Sequence, residues 1–405
     1  MIRFKFSKLG PGLLFAGAAI GVSHLVQSTR AGADFGWGLL WALVLTNLFK
    51  YPFFQAGPRY AIATGKSLLE GYYTLGKGYL WVYFVLNFVT MFTIQTAVTV
   101  VTAGLAAQLF GLTDNIVTWS ILITVLCTLL LIIGRYQLLD RFIKIIMAVM
   151  AICSIASFSF AYFNSAAALP WSQVFPQGSE LLFLVAFMGW MPAPLDISIW
   201  HSIWTLEKNK TKKMDLKESL FDFNVGYLGT FVLAFCFLGL GALVMHQSGA
   251  SFSSNGTTFA GQLIGLYTTN FGQGFYWIIA LAAFTTMFST SITTLDASPR
   301  SMSQTFSLLF KKKQSQHYVL WLLLLATGTA LIFLFLRSEM FLLVQIATVL
   351  SFLTTPLYAF LNYKLCFGAQ MPTEARPSNT NKRLAQGGLL FLTGFTLYYL
   401  LGLLT

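Results

Sequence analysis

The chain has 405 residues, of which 56% are hydrophobic and only 9% charged, and its net charge is +12. A soluble domain is roughly a quarter charged, so too few polar residues remain here to cover a water-facing surface. A soluble enzyme, a disordered chain and a disulfide-rich secreted domain are excluded, and the composition fits an all-α polytopic membrane protein.

A spanning helix needs ~20 mainly apolar residues. Apolar runs fall at 10–34, 37–64, 79–110, 115–134, 142–163, 181–205, 222–246, 273–298, 317–336, 340–363 and 387–404. Each reads as a span, about eleven in all. None shows the ~10-residue alternation of a membrane barrel. The basic segment Met1–Lys8 leads into span 1 without a clear small-residue cleavage site, which predicts a retained N-terminus. Between spans 7 and 8, Phe259–Tyr267 reads as a short interfacial helix, and Met371–Lys382 reads as a mobile polar loop. Cys127, Cys153, Cys236 and Cys366 lie far apart with no C-x-x-C, so they read as packing residues.

The basic residues alternate from side to side. Of the 25 Lys and Arg residues, 22 lie in the N-terminal segment or in the connections after spans 2, 4, 6, 8 and 10. The connections 111–114, 164–180 and 247–272 have none. By the positive-inside rule this predicts a cytoplasmic N-terminus and an outside C-terminus, in a cell inner membrane. It also accounts for the net charge without any nucleic-acid partner. The bilayer and a small-molecule or ion substrate are the partners implied, and the oligomeric state stays open.

Two spans carry signals for a break at mid-depth. Span 1 has Gly17-Ala-Ala-Ile-Gly21-Val-Ser23-His24, and span 6 has Gly189-Trp-Met191-Pro192-Ala-Pro194-Leu-Asp196. Two prolines remove two backbone donors and clash with the preceding turn. Transporters built from inverted repeats bind their cargo where two such spans unwind. The spacing predicts repeat one over 10–163, repeat two over 181–363 and an extra helix at 387–404, all in a single transporter domain. The bland readings are Gly-x-x-x-Gly packing in span 1 and a proline kink in span 6.

The stretch Gly10-Pro-Gly through Asp34-Phe-Gly36, followed by Leu39-Leu-Trp41, Asn47, Arg59 and Ile62-Ala-Thr-Gly65, resembles the opening of the Nramp family. Leu109-Phe-Gly111, His201-Ser202 and Ser289-Thr-Ser-Ile-Thr293 continue the resemblance. It implies a LeuT-type fold with unwound first and sixth helices, and a proton-coupled importer of divalent metals. The family's span 1 motif, Asp-Pro-Gly-Asn, falls on Gly21, Val22, Ser23 and His24. Its span 6 Met-Pro-His falls on Pro194, Leu195 and Asp196, with Met191 one turn earlier. Two acids of its proton route fall on Gln95 and Val98.

Ionisable groups at membrane depth are expensive and mark function by default. Asp196 sits at the span 6 break, and His24 is its expected counterpart across the site. These two are the candidate metal ligands, and Gly21, Ser23, Met191 and Pro194 complete the substrate set. Lys50 in span 2 needs a partner, for which Asp196 is the candidate; snorkelling or a purely structural ion pair are the alternatives. Arg30 reads as a headgroup contact or an outer-vestibule residue. The hydroxyls Ser289, Thr290, Ser291, Thr293 and Thr294 of span 8 suit a hard cation such as sodium, or simply bond back to their own helix. Lys50, Gln95, Ser289, Thr290 and Thr293 form the candidate coupling path. Asp296 and Arg300 should pair at i, i+4.

These features predict a secondary active transporter of a small solute, by resemblance a metal cation held in a remodelled site. It carries no cofactor, and its coupling ion is H+ or Na+. The alternatives are an ion-coupled transporter of a non-metal solute, or a non-transporting receptor on the same fold. No nucleophile–base pair or metal cluster at helical spacing supports an enzyme.

Overall fold

In the computed structural model, residues 10–134, 136–164, 170–311, 317–336 and 340–402 are described. Arg3, Lys5, Lys8, Arg135, Lys312, Lys313 and Arg337 lie outside them, as do the side chains of Arg141 and Lys144. The described residues form helices and connections, with no strand.

Span 1 is two helices, α1 (Pro11–Ala19) and α2 (Ser23–Phe35), bent by 46° at the break between them. After α3 (Leu40–Thr64) comes a short helix missing from the apolar runs, α4 (Leu68–Leu75). Its start is legible in retrospect as a capping box. The Ser67 hydroxyl accepts from the Glu70 amide, and the Glu70 carboxylate accepts from the Ser67 amide. Next come α5 (Lys77–Phe110), α6 (Ile116–Ile133) and α7 (Tyr136–Asn164). Span 6 is again divided, into α8 (Ser179–Trp190) and α9 (Ile197–Thr211). The chain continues through α10 (Leu216–Ser248), α11 (Gly256–Phe271), α12 (Tyr276–Phe310), α13 (Tyr318–Leu336), α14 (Met340–Phe367) and α15 (Asn379–Gly402). The segment Phe259–Tyr267 is helical as expected, within α11, whose N-terminus is capped by Asn255. By length and composition alone, seven of the described helices can cross a membrane, or eight if α1 and α2 are one span.

The stretch 371–382 departs from its reading as a mobile loop. Met371 and Ala375 are buried, Arg59 donates to the Ala375 carbonyl at 2.9 Å, and α15 already begins at Asn379. Arg59 and Gln55 of α3 hold this stretch down, and Asn381 closes the contact by donating to Gln55 at 2.8 Å. Arg30 also departs from a simple headgroup contact. It pairs with Asp34 at 3.1 Å and lies between the rings of Phe183 and Phe341. Asp296 and Arg300 pair as their spacing predicts, at 2.7 Å. All four cysteines are free.

Lipid tails are as apolar as leucine, so helices in a bilayer associate through close packing rather than through exclusion of water. Small residues allow this where the broken span meets α10. A Cβ on Gly226 would overlap the Gly12 carbonyl oxygen, one on Gly32 the Leu238 carbonyl, and one on Gly241 the Thr29 carbonyl. Both halves of span 1 are therefore pressed against one continuous helix. Asp222 of α10 fixes the start of α1 by accepting from Gly10 N at 3.0 Å and Gly12 N at 2.7 Å. These amides belong to the first turn, which has no partners within its own helix.

Replacing Asp222 with alanine should lower stability by ~1–3 kcal/mol, the cost of leaving buried donors unpaired. Asparagine should cost less, because it keeps an acceptor. Thermal unfolding in detergent checks both; equal melting of parent and alanine variant would show that water caps α1 instead.

Candidate functional site

The two breaks face each other. In span 1 the helical ladder stops at Ala19. Ile20 leaves helical geometry, and the chain resumes as a π-turn over Ser23–Ser28. Such turns are common at functional sites. In span 6, Trp190 ends α8, and the unwound segment reaches Ile197 through Pro192, Ala193 and Pro194. The Met191–Pro192 peptide is cis.

Between the breaks lies a cavity of about 20 Å³, room for about one water molecule. Ala19, Ser23, Pro194 and Thr290 line it from the broken spans and α12, and Ile94 and Val98 line it from α5. Trp190 and Trp200 also line it, along with Ala18, Val22, Ile197 and Thr294. The sequence reading missed both tryptophans. Their positions beside the Pro-x-Pro, one at the end of α8 and one in the first turn of α9, are the signal that could have found them. Trp190 donates to Ser351 Oγ at 2.8 Å, whereas the buried Trp200 indole N–H has no partner.

Gly21 does not face open space. A Cβ there would lie 2.8 Å from Thr290 Oγ1 and 2.9 Å from Thr290 Cγ2. The threonine of α12 therefore occupies the room that any side chain at position 21 would need. Its hydroxyl is bonded to the Thr286 carbonyl at 3.1 Å and lies 3.4 Å from the Gly17 carbonyl.

No hydrogen bond joins His24 to Asp196. Its Nδ1 meets Ser23 Oγ at 2.7 Å and its Nε2 meets the Thr230 carbonyl of α10 at 2.9 Å, so both ring nitrogens are occupied. Met191 is engaged as well: its sulfur accepts from Ser28 Oγ at 3.3 Å. Asp196 stands at the first position before α9, and its Oδ1 is buried without a partner. It is not part of the cavity wall. Among the described residues no group of three or more His, Cys, Asp or Glu side chains is placed to hold a metal.

Lys50 is fully buried and points at the span 6 break. The expected direct pair with Asp196 does not form. Instead Lys50 Nζ donates to the carbonyls of Met188 at 2.8 Å, Gly189 at 2.7 Å and Ala193 at 3.4 Å. The reason is local. An α-helical carbonyl accepts from the amide four residues on; for Met188 that residue is Pro192, which has none.

Gln95 joins α5 to α12. It donates to Thr99 Oγ1 at 3.1 Å and to the Ser291 carbonyl at 3.3 Å, and accepts from Thr294 Oγ1 at 2.7 Å. Thr286, Thr290 and Thr294 bond back to carbonyls of their own helix. Ser289 and Thr293 are buried on the same helix.

Residues 12–402 match the family described as natural resistance-associated macrophage protein-like, Nramp. The chain is 36% identical over 409 residues to the uncharacterized protein PM0681 of Pasteurella multocida, covering 98% of this chain and 92% of that one. A stretch of 84 residues is 33% identical to the divalent metal cation transporter MntH of Aeromonas hydrophila, covering 20% of this chain and 21% of that one. The manganese transporter of Eremococcus coleocola, solved in complex with an aromatic bis-isothiourea compound, has a similar structure, with a TM-score of 0.70. It is 15% identical, and the match covers 96% of this chain and 85% of that one. At that identity the likeness shows the fold, which is the LeuT type.

Because Thr290 fills the space beside Gly21, Gly21→Ala should destabilise the protein by ~1–3 kcal/mol through overpacking. Thr290→Ala, which removes the two nearest atoms, should recover most of that loss in the double variant. A thermal-unfolding cycle over the four proteins measures the coupling, and strict additivity would show that the two residues do not compete for space.

Proposed function

The chain belongs to the Nramp family, and we propose that it is a secondary active transporter which carries a small solute between the breaks of spans 1 and 6. The observation that carries this reading is the pair of unwound segments closed around one small cavity. A cavity of about 20 Å³ holds the occluded arrangement; access requires the broken halves to part from the helices they pack against. The inverted repeat over 10–163 and 181–363, the cytoplasmic N-terminus, the outside C-terminus and an inner-membrane location belong to the same proposal. So does coupling to a proton or sodium gradient.

Family membership makes a metal cation the leading cargo. The names of the MntH relative and of the manganese transporter support it. The site is rebuilt, however. Gly21 and Pro194 stand where the family's acid and thioether belong, and Thr290 takes up the space beside Gly21. Soft ligands select transition metals, and oxygen ligands suit hard cations. A metal cargo here is held by hydroxyl and carbonyl oxygens, with the unpartnered Asp196 Oδ1 supplying negative charge. A second reading, a non-metal solute, is favoured by one observation: neither a carboxylate nor a thioether lines the cavity.

Uptake into proteoliposomes under imposed proton and sodium gradients tests the transport reading. Gradient-driven uptake of manganese, magnesium or a small organic solute is expected, and its failure under every gradient would overturn transport in favour of a receptor. Calorimetry separates the cargoes. Manganese binding should be weak in the parent. Gly21→Asp combined with Thr290→Ala and Pro194→Met should tighten it about tenfold or more, ~1.4 kcal/mol. Tight manganese binding by the parent, abolished by Asp196→Ala, would instead place a working metal site at Asp196.

A further inference from the structure

We propose that the carbonyl oxygens of Met188, Gly189 and Ala193 form a monovalent-cation site, which the chain fills with the tethered ammonium of Lys50. The site arises directly from the sequence of span 6. Pro192 deprives the Met188 carbonyl of its helical donor, and the unwinding that follows frees the Gly189 carbonyl from its own partner four residues on. Both oxygens lie at the C-terminal end of α8, where the aligned peptide dipoles place partial negative charge. The Ala193 carbonyl approaches from the unwound segment, so the three oxygens converge from both sides of the break.

An ammonium has three donors and no acceptor, which matches three oxygens at 2.8, 2.7 and 3.4 Å. A neutral amine would have to turn its lone pair towards one of them, whereas an ammonium can donate to all three. Unwound carbonyls and half-helix C-terminal ends are also what holds free coupling cations in discontinuous spans. Here the position is taken by a residue of α3 that is 0% exposed. The inference is that this chain needs no external cation to hold the span 6 break. An alkali ion becomes a ligand there only when the lysine is removed.

The test uses the full chain in detergent and follows thermal unfolding in sodium, potassium or N-methylglucamine chloride at equal ionic strength. The parent should melt at the same temperature in all three. Lys50→Met should melt lower in N-methylglucamine, by on the order of 5 °C, and recover in a saturable way with sodium or potassium. Lys50→Ala, which leaves room for an ion with a water, should recover at least as much. Equal melting of a folded variant in all three salts would overturn the proposal. So would an alkali gain of the same size in the parent, or failure of both variants to fold in either alkali salt. The readout does not depend on transport, so the cargo reading and this one fail separately.

Discussion

A helix interrupted inside a bilayer releases backbone groups into a medium with no water to satisfy them, and each one left bare costs several kcal/mol. Two spans among the described residues are interrupted, and the neighbouring helices supply the partners their loose ends find. At the span 6 break the partner is a charge. Lys50 reaches in from α3 and takes up the carbonyls that Pro192 orphans. At span 1 the partners are smaller and more distributed. Asp222 caps the first turn of α1, Ser23 and His24 bond one another, and His24 reaches the Thr230 carbonyl of α10.

These partners work only because the helices come close. Glycines remove side chains where backbone must approach backbone, and they cluster along the contact between the broken span 1 and α10. Gly57 plays the same part between α3 and α9, where a Cβ would overlap the Ser198 carbonyl. That contact sets the helix carrying Lys50 against the second half of span 6. Close packing and backbone satisfaction are thus one constraint: loosening the first withdraws the second.

The chemistry of the site follows from which side chains this packing turns inward. The wall of the cavity is largely apolar, with hydroxyls already bonded to carbonyls and one indole N–H to spare. The formal charges, Lys50 and Asp196, stand beside the cavity rather than in it. A divalent ion brought into such a place keeps little of its hydration and meets no paired acid. Beside this wall, Asp196 keeps a buried carboxylate oxygen without a partner.

Much of this was legible in the residues. The long apolar runs announced a helical membrane protein, though seven or eight of the described helices are long and apolar enough to span. Proline lacks an amide, so Pro192 and Pro194 announced a break whatever surrounded them, and the Gly17–Gly21–Ser23 stretch marked its counterpart. Lys50 could be recognised as a charge needing a partner at depth. Which partner it takes was decided by tertiary structure, because an ammonium in a dry interior bonds whatever oxygens the packing brings within 3 Å, and here those are carbonyls over 130 positions away. Likewise His24 and Asp196 were visible as polar residues beside the breaks, but side-chain direction depends on the turn of each half-helix. The π-turn at Ser23 swings His24 towards α10. Thr290 filling the space beside Gly21 had no sequence signal at all: a void or a contact exists only between helices, and only their packed arrangement determines it.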